Sequence, residues 1–388
     1  MALVILSGAL ANKPFNGGNA WSRLSWVLGF KRLGFEVFFV EQIGQDACID
    51  SAGQISPFQR SVNLGYFKET MARFGLEQAC SLIYRDGEAV HGRSMDRLRA
   101  LAQEASLLFN FSGHLTLPAI KEKIACKVYY DDDPGFTQFW HADHNPAARL
   151  MDHDFYFTIG ENIGKPDCTI PTGEVAWRHT RPPITLDDWP VACQNSLVRF
   201  TTVASWRGPF GPIQYNNKTY GLKVHEFRKL IQLPQRTGHC FEIALQIHSA
   251  DQKDLDSLLA HGWHISDPKK EADSPEAFRR FVQGSGAEFS VAQGVYVDTN
   301  SGWFSDRTVR YLASGKPALV QDTGFSRNYP VGEGLVGFRD LAEAIEAVER
   351  IAKDYRQHCQ AARRIAEEHF EARKVIGALT DEIGLKLA

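Results

Sequence analysis

The chain has 388 residues, 44% hydrophobic and 23% charged, with a net charge of −3. That length exceeds one ordinary domain, so two domains of about 150–200 residues are expected, with the composition of a soluble globular protein. The acid–base balance excludes a bulk electrostatic attraction to nucleic acid or an anionic membrane and leaves room only for a local basic groove.

Reading from the N-terminus, the apolar residues 2–6 form a strand, followed by the glycine loop "FNGGNAW" (15–21). A helix over 19–33 places Trp21, Leu24, Val27 and Leu28 on one face. Gly34 is its stop, and 35–40 ("FEVFFV") is a strand apolar on both faces, as in a parallel sheet covered by helices. Helices are expected over 64–74 and 94–104, and strands over 106–111, 126–133 and 154–160. Between about 161 and 195 the pattern becomes irregular and proline-rich ("GKPDCTIPTG", "RPPITLDDWP"), which marks a domain boundary.

The alternation then restarts. Strands are expected over 197–205, 240–247, 287–292 and 316–322, interleaved with helices over 223–231, 252–261, 274–283 and 305–314. The 274–283 helix opens with Ser-Pro, an N-cap followed by the favoured first-turn proline. Two helices within 341–370 close the pattern. The expected fold class is α/β, with two Rossmann-like domains whose parallel sheets face an interdomain cleft.

Seven cysteines, at 48, 80, 126, 168, 193, 240 and 359, are scattered and contain no C-x-x-C pair. Neither a zinc site nor a disulfide framework is indicated. The first apolar run lacks a basic leader and enters the glycine loop directly, so it reads as a strand rather than a signal peptide. No apolar run reaches the roughly 20 residues of a membrane span. A cytoplasmic location is expected.

In open α/β sheets ligands lie beyond the carboxyl ends of the strands. That rule selects loops 12–19, 112–118, 131–141, 206–215, 293–305 and 322–327, which two facing domains can gather into one cleft. In "NSGWFSDRTVRYLASGKPALVQDTG" (300–324), Gly302 permits close backbone approach and free N–H groups near Ser305–Arg307 would face an anion. Asp306 can accept hydrogen bonds from a ribose diol and Arg307 can neutralise phosphate. Equally, Asp306 can serve the helix dipole and Arg307 can solvate the surface.

This block resembles the donor-binding segment of glycosyltransferases with the GT-B fold. "LASGKPALVQDTG" is similar to the small-Gly-x-Pro strand that ends that segment. "GGNAWSRLSWVLGFKRLGFEVFFVEQ" (17–42), "YYDDDPGFTQFW" (129–140) and "ASWRGPFGPIQYNNKTYGLKVHEFR" (204–228) extend the resemblance over nearly the whole chain, to a bacterial group without an assigned substrate. The resemblance implies residues 1–195 as an acceptor-side domain, 196–365 as a nucleotide-sugar domain, and a segment 366–388 that returns to the first domain. It departs at one point. The Glu-x₇-Glu pair of the retaining enzymes aligns with Gly302 and Arg310, so both carboxylates are missing.

The glycine loop lacks the third glycine of G-x-G-x-x-G, so the dinucleotide fingerprint fails. Within the resemblance, Gly17 and Gly18 would let a ligand approach, with Asn16 and Asn19 offering hydrogen bonds; a plain turn with Asn19 as a helix cap reads as well. His114, exposed behind a glycine at a strand end, and Asp133 are the candidate catalytic residues; His114 equally suits a backbone contact. Asp131 and Asp133 formally make D-x-D on one strand face. GT-B enzymes, however, meet the diphosphate with helix N-termini and cationic side chains, so no metal is expected. Arg207 and Lys223 are the candidate phosphate ligands. Ser301, Gly302, Asp306, Arg307 and the Asp322, Thr323, Gly324 loop complete the expected donor site.

The function implied is transfer of a sugar from a nucleoside-diphosphate sugar, as co-substrate rather than resident cofactor, to an unidentified acceptor. An epimerase of the same fold and a non-catalytic nucleotide-sugar or glycan-binding protein are the alternatives. A DNA acceptor is disfavoured by the acidic balance and would show itself by loss of binding with rising salt.

Overall fold

In the computed structural model of the chain, which describes residues 2–386, the apolar runs become two sheets. The first contains β1 (Leu3–Ser7), β2 (Glu36–Ile43), β3 (Cys80–Tyr84), β4 (Ala89–Gly92), β5 (Leu107–Phe111), β6 (Lys127–Asp131), β7 (Phe155–Thr158) and β8 (Trp177–His179). Their order is β4-β3-β2-β1-β5-β6-β7-β8, parallel except for β4. The central strands β1 and β5 are buried at every position, because helices cover both faces.

The second sheet follows β9 (Phe200–Ser205), after which β10 (Ile213–Tyr215) and β11 (Lys218–Tyr220) form a separate hairpin. Its other strands are β12 (Phe241–Gln246), β13 (Trp263–Ser266), β14 (Ala287–Ser290), β15 (Ala318–Gln321) and β16 (Leu335–Phe338), in the all-parallel order β13-β12-β9-β14-β15-β16. Both sheets keep the doubly wound order 3-2-1-4-5-6, which places a crevice at the switch beside the first strand of each.

The expected strands and helices form, most within a few residues of the expected ends. Six strands, β3, β4, β8, β13 and the β10–β11 pair, lack an expectation, as does β16. They are three to five residues long, too short for a periodicity to register. The hairpin turns on Asn216 and Asn217, both with positive φ (47° and 61°), the asparagine pair suited to such a turn.

Contacts between the two units frame the cleft. On one side Gly17 N–H donates to Ala272 O (2.8 Å), and Trp21 Nε1 donates to Pro275 O (2.7 Å). On another, the helix Phe136–Ala142 sets Phe139 against Tyr215 and Tyr220, each at 5.0 Å between ring centroids, and Phe136 against Phe210 at 4.9 Å. At the hinge, Asn162 N–H donates to Ser301 O (3.1 Å), and its side-chain amide donates to Asn300 O and Gly324 O. The final helix, Ala372–Glu382, lies on the helix Gly17–Arg32, where Gly29 leaves room for Ile376. Residues 387 and 388 of the expected returning segment lie outside the described residues. No helix among the described residues is long and apolar enough to cross a membrane.

Candidate active site in the interdomain cleft

Beyond the carboxyl ends of the strands the two units enclose a cleft of ≈ 1010 Å³. The first unit contributes Lys13–Asn16, Gly18, the 49–53 turn and Asp133. The second contributes residues 203–205, Lys223, residues 245–247 and 267–269, and Asp306, Arg307 and Arg310. The loop after β1 is held open by a residue that sequence reasoning missed. Glu41, buried near the end of β2, accepts the backbone N–H groups of Leu10, Ala11 and Asn12 at 2.8–2.9 Å. Burial pushes its carboxyl up to about 7 against the pull of those donors. The signal was a lone acid closing the apolar run "FFVE".

The second unit presents cations at the cleft floor. Lys223 opens the helix Lys223–Arg228, and its backbone N–H donates to Gln293 Oε1 (2.7 Å). Burial first, and the Arg307 guanidinium second, lower its ammonium to about 7 against the opposing pull of Glu288. Its Nζ makes no hydrogen bond or ion pair among the described residues. Arg307 donates through Nε to the buried Glu288 (2.7 Å), through Nη1 to Val203 O (3.0 Å) and through Nη2 to Ser290 Oγ (2.7 Å). Glu288 thus fixes the guanidinium plane while one N–H on each terminal nitrogen stays uncommitted. A half-buried amine without a partner beside an oriented guanidinium has the chemistry to meet an anion.

Across the cleft, "DDD" at the end of β6 divides into three roles. Asp131 is fully buried and accepts from Thr137 Oγ1, Gln138 Nε2 and Thr158 Oγ1, each at 2.7 Å, so it ties the loop together. Asp132 accepts from Ser112 Oγ (2.7 Å) and pairs with Arg23 (3.0 Å). Asp133 alone lines the cleft, where it accepts a long hydrogen bond from Tyr296 Oη (3.3 Å). Burial and the neighbouring Asp132 raise its carboxyl to about 7. The D-x-D acids therefore diverge.

The structure gathers Asn16, Gly18, Asp133, Lys223, Asp306 and Arg307 into the cleft wall and places the other expected residues elsewhere. His114 does not meet Asp133: its Nε2 bonds to Gln42 O (3.1 Å), and burial plus Arg149 lower it to about 3, a poor base near neutrality. Arg207 turns outward into a two-bond pair with Asp251. Buried Ser301 Oγ donates to Tyr296 O (3.0 Å) and accepts from Trp303 N–H (3.1 Å). Gly302 (φ 72°) makes room for Asn162 rather than for a ligand, since a Cβ there would lie 2.8 Å from that side chain.

Asp322 caps its own turn by accepting from Gly324 N–H (2.9 Å), Thr323 Oγ1 donates to Trp303 O (2.6 Å), and Gly324 O takes the Asn162 amide. Gly17 likewise serves the interdomain contact: a Cβ there would sit 2.1 Å from Ser274 O. Asn16 caps the helix for Asn19 N–H, and Asn19 Nδ2 holds Ala9 O. Asp306 lines the cleft and spends one carboxylate oxygen on the buried Arg310 (2.9 Å). Lys13 and the buried Arg310 also border the cleft, and the sequence expectation had named neither as part of its wall.

No protein-family model and no curated protein sequence matches the chain. Solved structures do. An alpha-glucosyltransferase in complex with UDP and a 13-mer DNA aligns at TM-score 0.60 and 11% identity, over 99% of this chain and 100% of that one. Anabaena HepE in complex with UDP-glucose aligns at TM-score 0.60 and 11% identity with the same coverage. The alpha-glucosyltransferase bound to UDP-glucose and DNA with an abasic site aligns at 0.57 and 11%, over 99% of each chain. The chain therefore has the GT-B fold, as its sequence resemblance implied.

Proposed function

We propose that the protein is a glycosyltransferase that moves a sugar from a nucleoside-diphosphate sugar to an acceptor hydroxyl. One observation carries this reading: Lys223 stands in the interdomain cleft as a half-buried amine without a hydrogen-bond or ion-pair partner among the described residues, beside the oriented guanidinium of Arg307. A diphosphate supplies the missing charge. It also explains why such groups gather at the doubly wound switch of the second sheet, where nucleotides bind in this architecture. The structural neighbours that hold UDP or UDP-glucose support a uridine nucleotide as the first donor to test.

In this reading Lys223 and Arg307 bind the diphosphate and stabilise the charge that develops on it as the glycosidic bond breaks. Asp133, on the opposite wall, takes the acceptor proton; a carboxyl raised to about 7 is a better base than an ordinary one. The cations already answer the diphosphate charge, so the proposal includes turnover without added metal, undiminished by a chelator. DNA belongs in the acceptor panel because some neighbours hold it, although the chain's charge of −3 gives no general basic face. The first test is thermal unfolding with UDP and UDP-glucose, then other nucleoside diphosphates. A ligand at about 100 times its dissociation constant adds roughly 2.7 kcal/mol to stability. No response to any of them at millimolar concentration would overturn the donor assignment.

A further inference from the structure

The linker that joins the two sheets runs over the end of the helix Asp306–Ala313 and is fastened there. Ala192 N–H donates to Ser314 O (3.0 Å), Lys316 Nζ donates to Ala192 O, and Cys193 Sγ lies 3.3 Å from Gly315 O. Gly315 has a positive φ of 69°, and a Cβ on it would fall 2.7 Å from Cys193 Sγ and 3.6 Å from Cys359 O. The absent side chain is what lets the two cysteine segments converge. Cys193 is exposed, Cys359 is buried on the helix Tyr355–His369, and both residues pack against Gly315.

We propose that Cys193 and Cys359 form a reversible disulfide that staples the interdomain linker to the helix Tyr355–His369. The exposed thiol is the one an oxidant reaches first. The Cys359 S–H and the nearby Lys316 ammonium both favour a thiolate at Cys193, lowering it to about 7, whereas burial raises the thiols of Cys48, Cys80, Cys126, Cys168 and Cys240. With hydrogen peroxide as oxidant, the Cys193 thiolate attacks a peroxide oxygen, the O–O bond breaks, and a sulfenic acid and a hydroxide result, the hydroxide becoming water with the proton that the Cys193 thiol shed. Cys359 sulfur then attacks the Cys193 sulfur, the S–O bond breaks, its thiol proton leaves with the hydroxide as a second water, and the S–S bond forms. Two thiols and one peroxide become one disulfide and two waters. The spacing of these cysteines in sequence gave no hint of a pair, because the fold alone brings them together.

The test treats the full chain with a small excess of hydrogen peroxide, and separately with oxidised glutathione, and maps its peptides without reduction. The expected product is one linked peptide pair containing Cys193 and Cys359, with two titratable thiols lost and both recovered by dithiothreitol. Cys193→Ser, an exposed and mild change, should abolish the link and leave the remaining thiols unmodified at the same dose. Oxidised wild type should melt above its reduced form, and Cys193→Ser should show no such difference. A sulfinic acid or a stable glutathione adduct on Cys193 with Cys359 left free would overturn the pairing. A link that forms without moving the melting temperature would overturn the staple.

Discussion

Lys223 offers the sharpest test of the anion site, through its proton. In the ligand-free protein its ammonium is lowered from about 10.5 to about 7 by burial and by Arg307. At about 1.4 kcal/mol per tenfold, that displacement corresponds to about 5 kcal/mol of disfavoured charge, an order-of-magnitude figure. A diphosphate seated on Nζ returns much of it and raises the lysine again. At pH 8 the free protein carries this proton in about a tenth of molecules, and the complex in nearly all, so binding takes up close to one proton. The sign follows: affinity is full below pH 7 and falls about tenfold per pH unit above it, until the pH reaches the value in the complex. The contribution to folding runs the other way, since the unfolded chain keeps its lysine charged to about 10.4. The buried amine therefore destabilises the free protein fully below pH 7, and that penalty fades between 7 and 10.5. Titration calorimetry with UDP-glucose, in buffers of different ionisation enthalpy at pH 8, counts the proton directly. Lys223→Met should remove the uptake and the pH slope together and lower affinity by ten- to a hundredfold. Uptake that persists in Lys223→Met, or binding that is flat in pH from 7 to 8.5 in the wild type, would refute the assignment.

Asp133→Asn should leave donor affinity unchanged while reducing turnover by about 10²–10⁴-fold, and it should erase the rise in rate that accompanies Asp133 deprotonation near pH 7. Steady-state rates between pH 5.5 and 8.5 decide it, and a preserved rise would move the base elsewhere. Asp306→Ala should destabilise the fold by about 2 kcal/mol, below the usual cost of breaking a buried pair because Asp306 O still accepts from Arg310. Arg310→Met, which removes the buried charge itself, should stay within about 1 kcal/mol of wild type by urea unfolding; the opposite ranking would contradict the burial argument. Gly17→Ala forces a Cβ onto Ser274 backbone and should cost about 1–3 kcal/mol while weakening donor binding, because the two cleft walls must separate. An unchanged melting temperature in this variant would show that the loop yields without moving the other unit.

Apolar runs and glycine stops made most of the two sheets legible, because a strand buried on both faces is mostly apolar and so announces itself, even where it carries a buried acid such as Glu41 or Glu288. The site was legible only to the level of loops. Of the strand-end loops picked out from the sequence, 12–19 and 131–141 line the cleft, and strand-end position does not say which side chains in such loops are already spoken for. Arg207 and Asp322 have the right chemistry at strand ends, but Asp251 and the turn at 322–326 claim them. Ser301, Gly302 and Gly324 are consumed by one residue of the other unit, Asn162, 139 to 162 positions away in sequence. Such commitments depend on long-range partners that no local pattern encodes.

The same argument explains why Lys223 stands out. Of the cations expected to meet phosphate, Arg207 is neutralised at the surface and Arg307 is held by Glu288, whereas the Lys223 ammonium has no hydrogen-bond or ion-pair partner among the described residues and only a longer-range attraction to Glu288. Desolvation shifts such an amine toward its neutral form, and in the proposed function the diphosphate entering the cleft in front of it restores the charge. The two carboxylates missing from the Glu-x₇-Glu positions bear on this as well. At one of them Arg310 takes one oxygen of the Asp306 carboxylate, which leaves the other oxygen, on a side chain still 36% exposed in the cleft, as the acceptor for a hydroxyl. In the proposed function, then, charge at the diphosphate comes from Lys223 and Arg307, and a single carboxylate oxygen of Asp306 stands where the retaining enzymes have a pair of acids.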